Sequence, residues 1–247
     1  MVDRSSGVLL PIFSLPGPYG IGDFGRQARD FAASLAQAGF SSWQVLPFTP
    51  TGYGNSPYQG YSAYAGNPLF ISPDMLALCG LLTREECRSA QFAGDHGQID
   101  YHWLEQVREP LLRRAFKRLD AEDRQQIEVF VAREKDWIED YALFRVIKRS
   151  QGDQPWWAWK DDKLRRADSS ALVRVREQSA EDIAYWYFIE YTFNRQWQQL
   201  KADLSRTGLE IIGDIPIYVS ADSSDVWANK QYFRSEERRV GKECRSR

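Results

Sequence analysis

The chain has 247 residues, 43% hydrophobic and 14% aromatic, enough for one large domain or two small ones. With 32 basic against 34 acidic residues the net charge is −2, and no long basic stripe precedes the C-terminus, which argues against a nucleic-acid partner. Three cysteines (Cys79, Cys87, Cys244) and two histidines (His96, His102) have no metal-ligand spacing, and no apolar run suits a signal peptide or a membrane span. Reduced thiols in the cytoplasm, with no metal site and no membrane span, are the simplest account.

Gly7 to Phe13 is a short apolar run closed by Pro16 and Gly17, which predicts a buried strand. Phe24, Ala28, Phe31, Ala32 and Leu35 then fall at helical spacing, with Asp23 expected as N-cap and Gly39 as the stop. Ser42 to Pro47 reads as a second strand, so the first forty-odd residues form a βα unit with parallel strands.

Thr51 to Pro68 follows, with Tyr53, Tyr58, Tyr61 and Tyr64 set among glycine, serine, asparagine and proline. No helix or strand period fits it, so it is a shaped loop. Two readings stand side by side. Rigid aromatics with polar tips suit the flat, hydroxylated face of a sugar; equally, loop tyrosines can simply cover a core edge.

Ser72 to Leu204 is mostly helical. Ser72-Pro73-Asp74 and the capping box Thr83-Arg-Glu-Glu86 start short helices, and periodicity continues over Trp103–Leu119, Ala121–Ala132 and Lys135–Lys148. Gln151 to Asp168, with Trp156, Trp157 and Trp159, reads as an irregular loop. Ser179 with Asp182 is expected to cap a long helix whose apolar stripe is Ile183, Trp186, Phe193, Trp197, Leu200 and Leu204. Leu209 to Val219 is the strongest strand signal, limited by Gly213 and Pro216. Asp214 falls near its end, where a carboxylate must be paired or binding something. Ser220 to Phe233 is a second polar loop with aromatics. From Arg234 the composition breaks: the last stretch holds six basic and three acidic residues, and Val240 is its one aliphatic side chain.

Gly20-Ile-Gly22-Asp-Phe-Gly25 is a literal G-x-G-x-x-G, yet Ser14 to Tyr19 separate it from the strand and no carboxylate ends the second strand, so a nucleotide loop is not expected. A broader resemblance accounts for it. Ser6-Gly7-Val-Leu-Leu-Pro11 and Leu15-Pro-Gly-Pro-Tyr-Gly-Ile-Gly22-Asp-Phe-Gly25 resemble the opening of the amylomaltases, 4-α-glucanotransferases of the glycoside hydrolase 77 type. The resemblance continues in Trp43-Gln-Val-Leu-Pro47, Asn55-Ser-Pro-Tyr-Gln59, Ser62-Ala-Tyr-Ala-Gly-Asn-Pro68, Gly213-Asp-Ile-Pro-Ile-Tyr-Val219 and Asp222-Ser-Ser-Asp-Val-Trp-Ala228.

That resemblance implies an α/β fold: the N-terminal part of a (βα)8 TIM barrel with a large helical insertion after the second strand. Residues 1–71 would be the first βα units and substrate loop, 72–207 the inserted helices, 208–233 the third strand and its loop, and 234–247 a non-native tail. It also implies α-1,4-glucans and maltooligosaccharides as partners, transferred by a retaining double displacement between two carboxyl groups with no metal or organic cofactor. By motif position Tyr58 matches the tyrosine that stacks near the cleaved sugar, and Tyr53 an accessory glucan contact. Asp214 matches the aspartate of the first conserved active-site strand, and Ser56, in the same motif as Tyr58, is grouped with them as substrate-binding. The family nucleophile lies in an Arg-x-Asp motif on a later strand. Here the triplets before the tail are Arg118-Leu-Asp120 and Arg166-Ala-Asp168, neither after an apolar strand, so both are expected on the surface and the chain is expected to be a catalytically inactive, truncated product.

Overall fold

The structure, a computed structural model, describes residues 5–95 and 97–233; His96, the tail from Arg234 and the side chain of Tyr53 lie outside the described residues. Three short strands, β1 (Gly7–Leu9), β2 (Ser42–Gln44) and β3 (Glu210–Ile212), form one parallel sheet with β2 in the centre. Gly7 pairs with Ser42, and Ser42 with Glu210. All three are shorter than their apolar runs. Pro11 ends β1 and leads into a 3-10 turn at Ile12–Ser14, and Gly213 and Pro216 stop β3, because a proline cannot donate to the ladder.

Helix α1 (Arg26–Gln37) crosses from β1 to β2 and stops where Gly39 takes φ +84°. Its N-cap is Gly25 and not Asp23. The Asp23 carboxylate instead accepts the Gly25 N–H at 2.7 Å, fixing the turn before the helix. Burial pushes that carboxyl up to about 6, against the lowering effect of nearby Arg108. In the same turn a Cβ on Gly22 would overlap the carbonyl of Ile12, so the glycine pattern serves the close packing of this first turn.

Between β2 and β3 run α2 (Pro73–Leu78), α3 (Arg84–Ser89), α4 (Tyr101–Lys117), α5 (Ala121–Arg133), α6 (Lys135–Ser150), α7 (Asp162–Arg165), α8 (Ser169–Gln178) and α9 (Ala180–Ser205). Proline at the first position of α2 and the Thr83–Glu86 capping box of α3 are as expected. Ser179 occupies the N-cap of α9 but makes no side-chain cap; Asp182 pairs instead with Arg113 at 2.5 Å. The expected irregular loop from Gln151 holds a 3-10 turn (Trp156–Ala158) and α7, and it is followed by α8, whose start the polar run Asp168-Ser-Ser obscures in the sequence. Among the described residues no helix is long and apolar enough to cross a membrane.

The long helix α9 is the spine. On one side Phe24, Phe48, Phe70, Phe193 and Trp197 meet, with Phe24–Phe193 centroids 5.0 Å apart and Phe48–Trp197 4.8 Å apart. A second core gathers Phe144, Trp159 and, from α10 (Ser224–Ala228), Trp227, which is 1% exposed. Each fully buried ring contributes roughly 1.5–3 kcal/mol. The second core welds the loop after β3 to α6.

Candidate functional site

The chain leaves β2 into a tight reversal. Thr51 bridges Gly60 in antiparallel fashion, Gly52 N–H donates to Gln59 O at 3.0 Å, and Tyr61 N–H to Pro50 O at 3.1 Å. Near its tip the Ser56 hydroxyl accepts the Tyr58 N–H at 3.3 Å, while the Tyr53 backbone opens a 3-10 turn. Tyr58 projects outward, 43% exposed, and its phenol donates to Asp214 Oδ2 at 2.7 Å. Asp214 lies just past the carboxyl end of β3. Tyr58, from the loop after β2, and Asp214, from the end of β3, thus meet directly. As acceptor of that proton, the Asp214 carboxylate holds the Tyr58 phenol above its ordinary range.

Both line an open cleft of about 750 Å³, together with Gln59, Trp157, Tyr218 and Asp222. That volume suits a ligand of several rings. The other tyrosines do different work. Tyr61 packs near Phe144 at 6.3 Å with the Arg145 guanidinium 4.7 Å over its ring, and Tyr64 stacks on Trp137 at 6.1 Å. Tyr61 thus follows the packing reading of the loop, Tyr64 stacks on Trp137 while staying 68% exposed, and Tyr58 faces the cleft. Ser56 supports the Tyr58 backbone and is not among the cleft-lining residues described.

The hydrogen bonds that hold these walls come from the helical block. Glu190 of α9 accepts the Gly66 N–H at 2.8 Å, and Gln196 brackets Ser72 by accepting its N–H at 2.7 Å and donating to its carbonyl at 3.2 Å. Gly66 can be nothing larger, since a Cβ there would overlap the Phe193 ring. Lys148, buried in α6, puts its ammonium 2.6 Å from Asp222 Oδ2 and donates to Gln154 O at 3.1 Å. Asp225 accepts the Ala63 N–H at 2.9 Å, and Ser223 caps α10 through Val226 N–H at 3.2 Å. The Asp222–Ala228 motif is thus a docking device between the loop after β3, the tyrosine loop and α6. No motif in the sequence marks Lys148, Trp157 or Glu190 as part of this arrangement.

The two Arg-x-Asp triplets are structural. Asp120 caps α5 by accepting the Asp123 N–H, Asp168 caps α8 by accepting from Ser170 and Ala171, and Arg118 pairs with Glu86 at 2.6 Å.

Fold and cleft define an α/β protein that presents a polar, aromatic-walled ligand surface beyond the carboxyl ends of its parallel strands. The chain belongs to the glycosyl hydrolase 77 family, described as 4-alpha-glucanotransferase, whose model matches residues 10–241 and so runs past the composition break at Arg234. It is 43% identical over 238 residues to a 4-alpha-glucanotransferase of Thermus thermophilus, covering 95% of this chain and 46% of that protein. With the Streptococcus pneumoniae enzyme of the same name it shares 41% over 237 residues, covering 96% and 47%. A solved amylomaltase from Streptococcus agalactiae, in complex with acarbose, superposes with a TM-score of 0.91 at 38% identity, covering 94% of this chain and 47% of that one. The chain spans about half the length of the relatives it matches.

Proposed function

We propose that this chain supplies the glucan-binding wall of a 4-α-glucanotransferase that passes α-1,4-glucan segments to an acceptor glucan or glucose. In this reading β1, β2 and β3 open a (βα)8 barrel, and α2 to α9 are its insertion after the second strand. The observation that supports it most is the Tyr58–Asp214 hydrogen bond inside the cleft beyond the strand ends. A tyrosine face takes the C–H face of a glucose ring while the carboxylate takes its hydroxyls. The acarbose complex of the Streptococcus agalactiae relative supports an oligosaccharide ligand. Free thiols at Cys79 and Cys87 suit a cytoplasmic setting.

Retaining transfer uses a carboxylate that attacks C1 and a carboxylic acid that protonates the leaving oxygen, about 5–5.5 Å apart. In this cleft Asp214 is engaged by Tyr58, and Asp222 is neutralised by Lys148. We therefore assign this polypeptide binding without transfer. Incubation of the purified chain with maltotriose, followed by chromatography, is expected to leave the sugar unchanged, while titration shows maltooligosaccharide binding. Glucose and longer maltodextrins above the buffer control would overturn the first half; no binding of any maltooligosaccharide would overturn the second.

A further inference from the structure

Three tryptophans in the segment after α6 have three different fates. Trp159 is 0% exposed; it packs on Phe144 and Trp227, both at 5.7 Å, and donates its indole N–H to Gln154 O at 3.0 Å. Trp156 is a fastener: its backbone N–H donates to Asp222 Oδ1 at 3.2 Å and its indole N–H to Ala221 O at 2.7 Å. Trp157 does neither. It is 51% exposed, its indole N–H has no protein partner among the described residues, and its ring meets that of Trp156 edge-on at 5.6 Å and 81°. An indole left half in water forgoes much of the burial that makes tryptophan worth placing in a fold.

Its surroundings supply the reason. Trp157 lines the same cleft as Tyr58 and Asp214. The turn that carries it is immobilised from both sides, by Trp159 in the core and by the buried Lys148–Asp222 pair that anchors Trp156. A rigidly mounted aromatic face that stays wet is a platform prepared before its ligand arrives, so little ordering cost falls on binding.

We propose that Trp157 is a sugar-stacking platform, which takes a glucose ring of an α-1,4-glucan at a subsite separate from Tyr58 and Asp214. The inference rests on the glucan-binding reading above and adds a subsite contributed by the helical block. It makes the affinity of the cleft depend on glucan length, since Trp157 and Tyr58 both line it and a longer chain can engage both.

The test is a calorimetric titration of the 247-residue protein with maltohexaose, using Trp157→Ala and Trp157→Phe, alongside 15N spectra of the indole N–H groups. Alanine is expected to weaken maltohexaose about five- to tenfold, and phenylalanine to stay within about threefold of the unsubstituted protein, since a smaller ring still stacks. The indole resonance that disappears in Trp157→Phe is expected to shift when maltohexaose is added to the unsubstituted protein. Unchanged affinity in Trp157→Ala, or an unmoved Trp157 resonance while maltohexaose binds, overturns the platform and leaves the wider reading standing. No maltohexaose binding by the unsubstituted protein overturns both.

Discussion

The ammonium of Lys148, 2% exposed, lies 2.6 Å from Asp222 Oδ2, joining a helix of the central block to the loop that follows β3. A buried pair of this kind adds little over an apolar substitute, but breaking it by removing one partner leaves a charge without compensation. Asp222→Asn strands the buried ammonium and is expected to cost roughly 3–5 kcal/mol. Lys148→Met leaves Asp222, which keeps some water, and is expected to cost less. The double variant should recover part of the larger loss, as a double-mutant cycle in urea denaturation would read. Strict additivity of the two single changes would show that the pair is not coupled.

The Tyr58–Asp214 bond gives a second expectation. The carboxylate raises the phenol's pKa by accepting its proton, so Asp214→Asn should bring Tyr58 back down towards its ordinary value near 10. Titration of 13C-labelled tyrosine, with Tyr58→Phe to assign the signal, checks this. The same two substitutions should weaken maltooligosaccharide binding. A Tyr58 titration unaffected by Asp214→Asn would separate the two residues in solution.

Much of this arrangement was legible because it follows chain order. The apolar runs at Gly7, Ser42 and Leu209 became adjacent parallel strands, and the loop after the second had to emerge at the end where Asp214 stands. What stayed hidden depends on partners distant in sequence. Lys148 sits one turn from Phe144 on α6, where a lysine in a helical pattern reads as solvent-facing; the charge that compensates its burial comes from Asp222, 74 positions away. Glu190 is an acid within the apolar middle of α9, and only the Gly66 N–H, 124 positions away, accounts for one of its oxygens. Trp156, Trp157 and Trp159 are alike in composition, and a single 3-10 turn decides which is core, fastener or platform. Asp23 misled for a local reason: its side chain satisfied a turn two residues on, and the helix began after Gly25.

Beyond β3 the chain is apolar and uncovered. Ile215, Ile217 and Tyr218 are 80%, 90% and 80% exposed, and Ile212 is 47% exposed. In the barrel reading a further strand would pair with β3 and cover this face. The isolated chain is therefore expected to bind the dye ANS and to self-associate as concentration rises. Ile215→Lys with Ile217→Lys should reduce both, seen by fluorescence and light scattering. Dye binding unchanged in that variant would place the sticky surface elsewhere.

The last expectation concerns acid and base. Glu190 is buried on α9; Oε2 accepts the Gly66 N–H, while Oε1 finds no protein partner among the described residues. Tyr141 and Arg145, on the facing helix α6, also keep a polar atom without a protein partner there. Burial pushes the Glu190 carboxyl from 4.5 up to about 8, outweighing the Gly66 hydrogen bond and the Arg145 charge. Between those two values the folded chain keeps a proton that the unfolded chain has released. Stability contributed by this group is therefore full below pH 4.5, falls as pH rises through the window, and levels off above about 8. Glu190→Gln keeps an acceptor for Gly66 and removes the titration. The variant should match the unsubstituted protein near pH 4.5 and exceed it increasingly towards pH 8, a difference that cancels the other titrating groups. Urea midpoints of both proteins at pH 5, 7 and 9 read it directly, and parallel curves across that range would mean Glu190 is charged throughout.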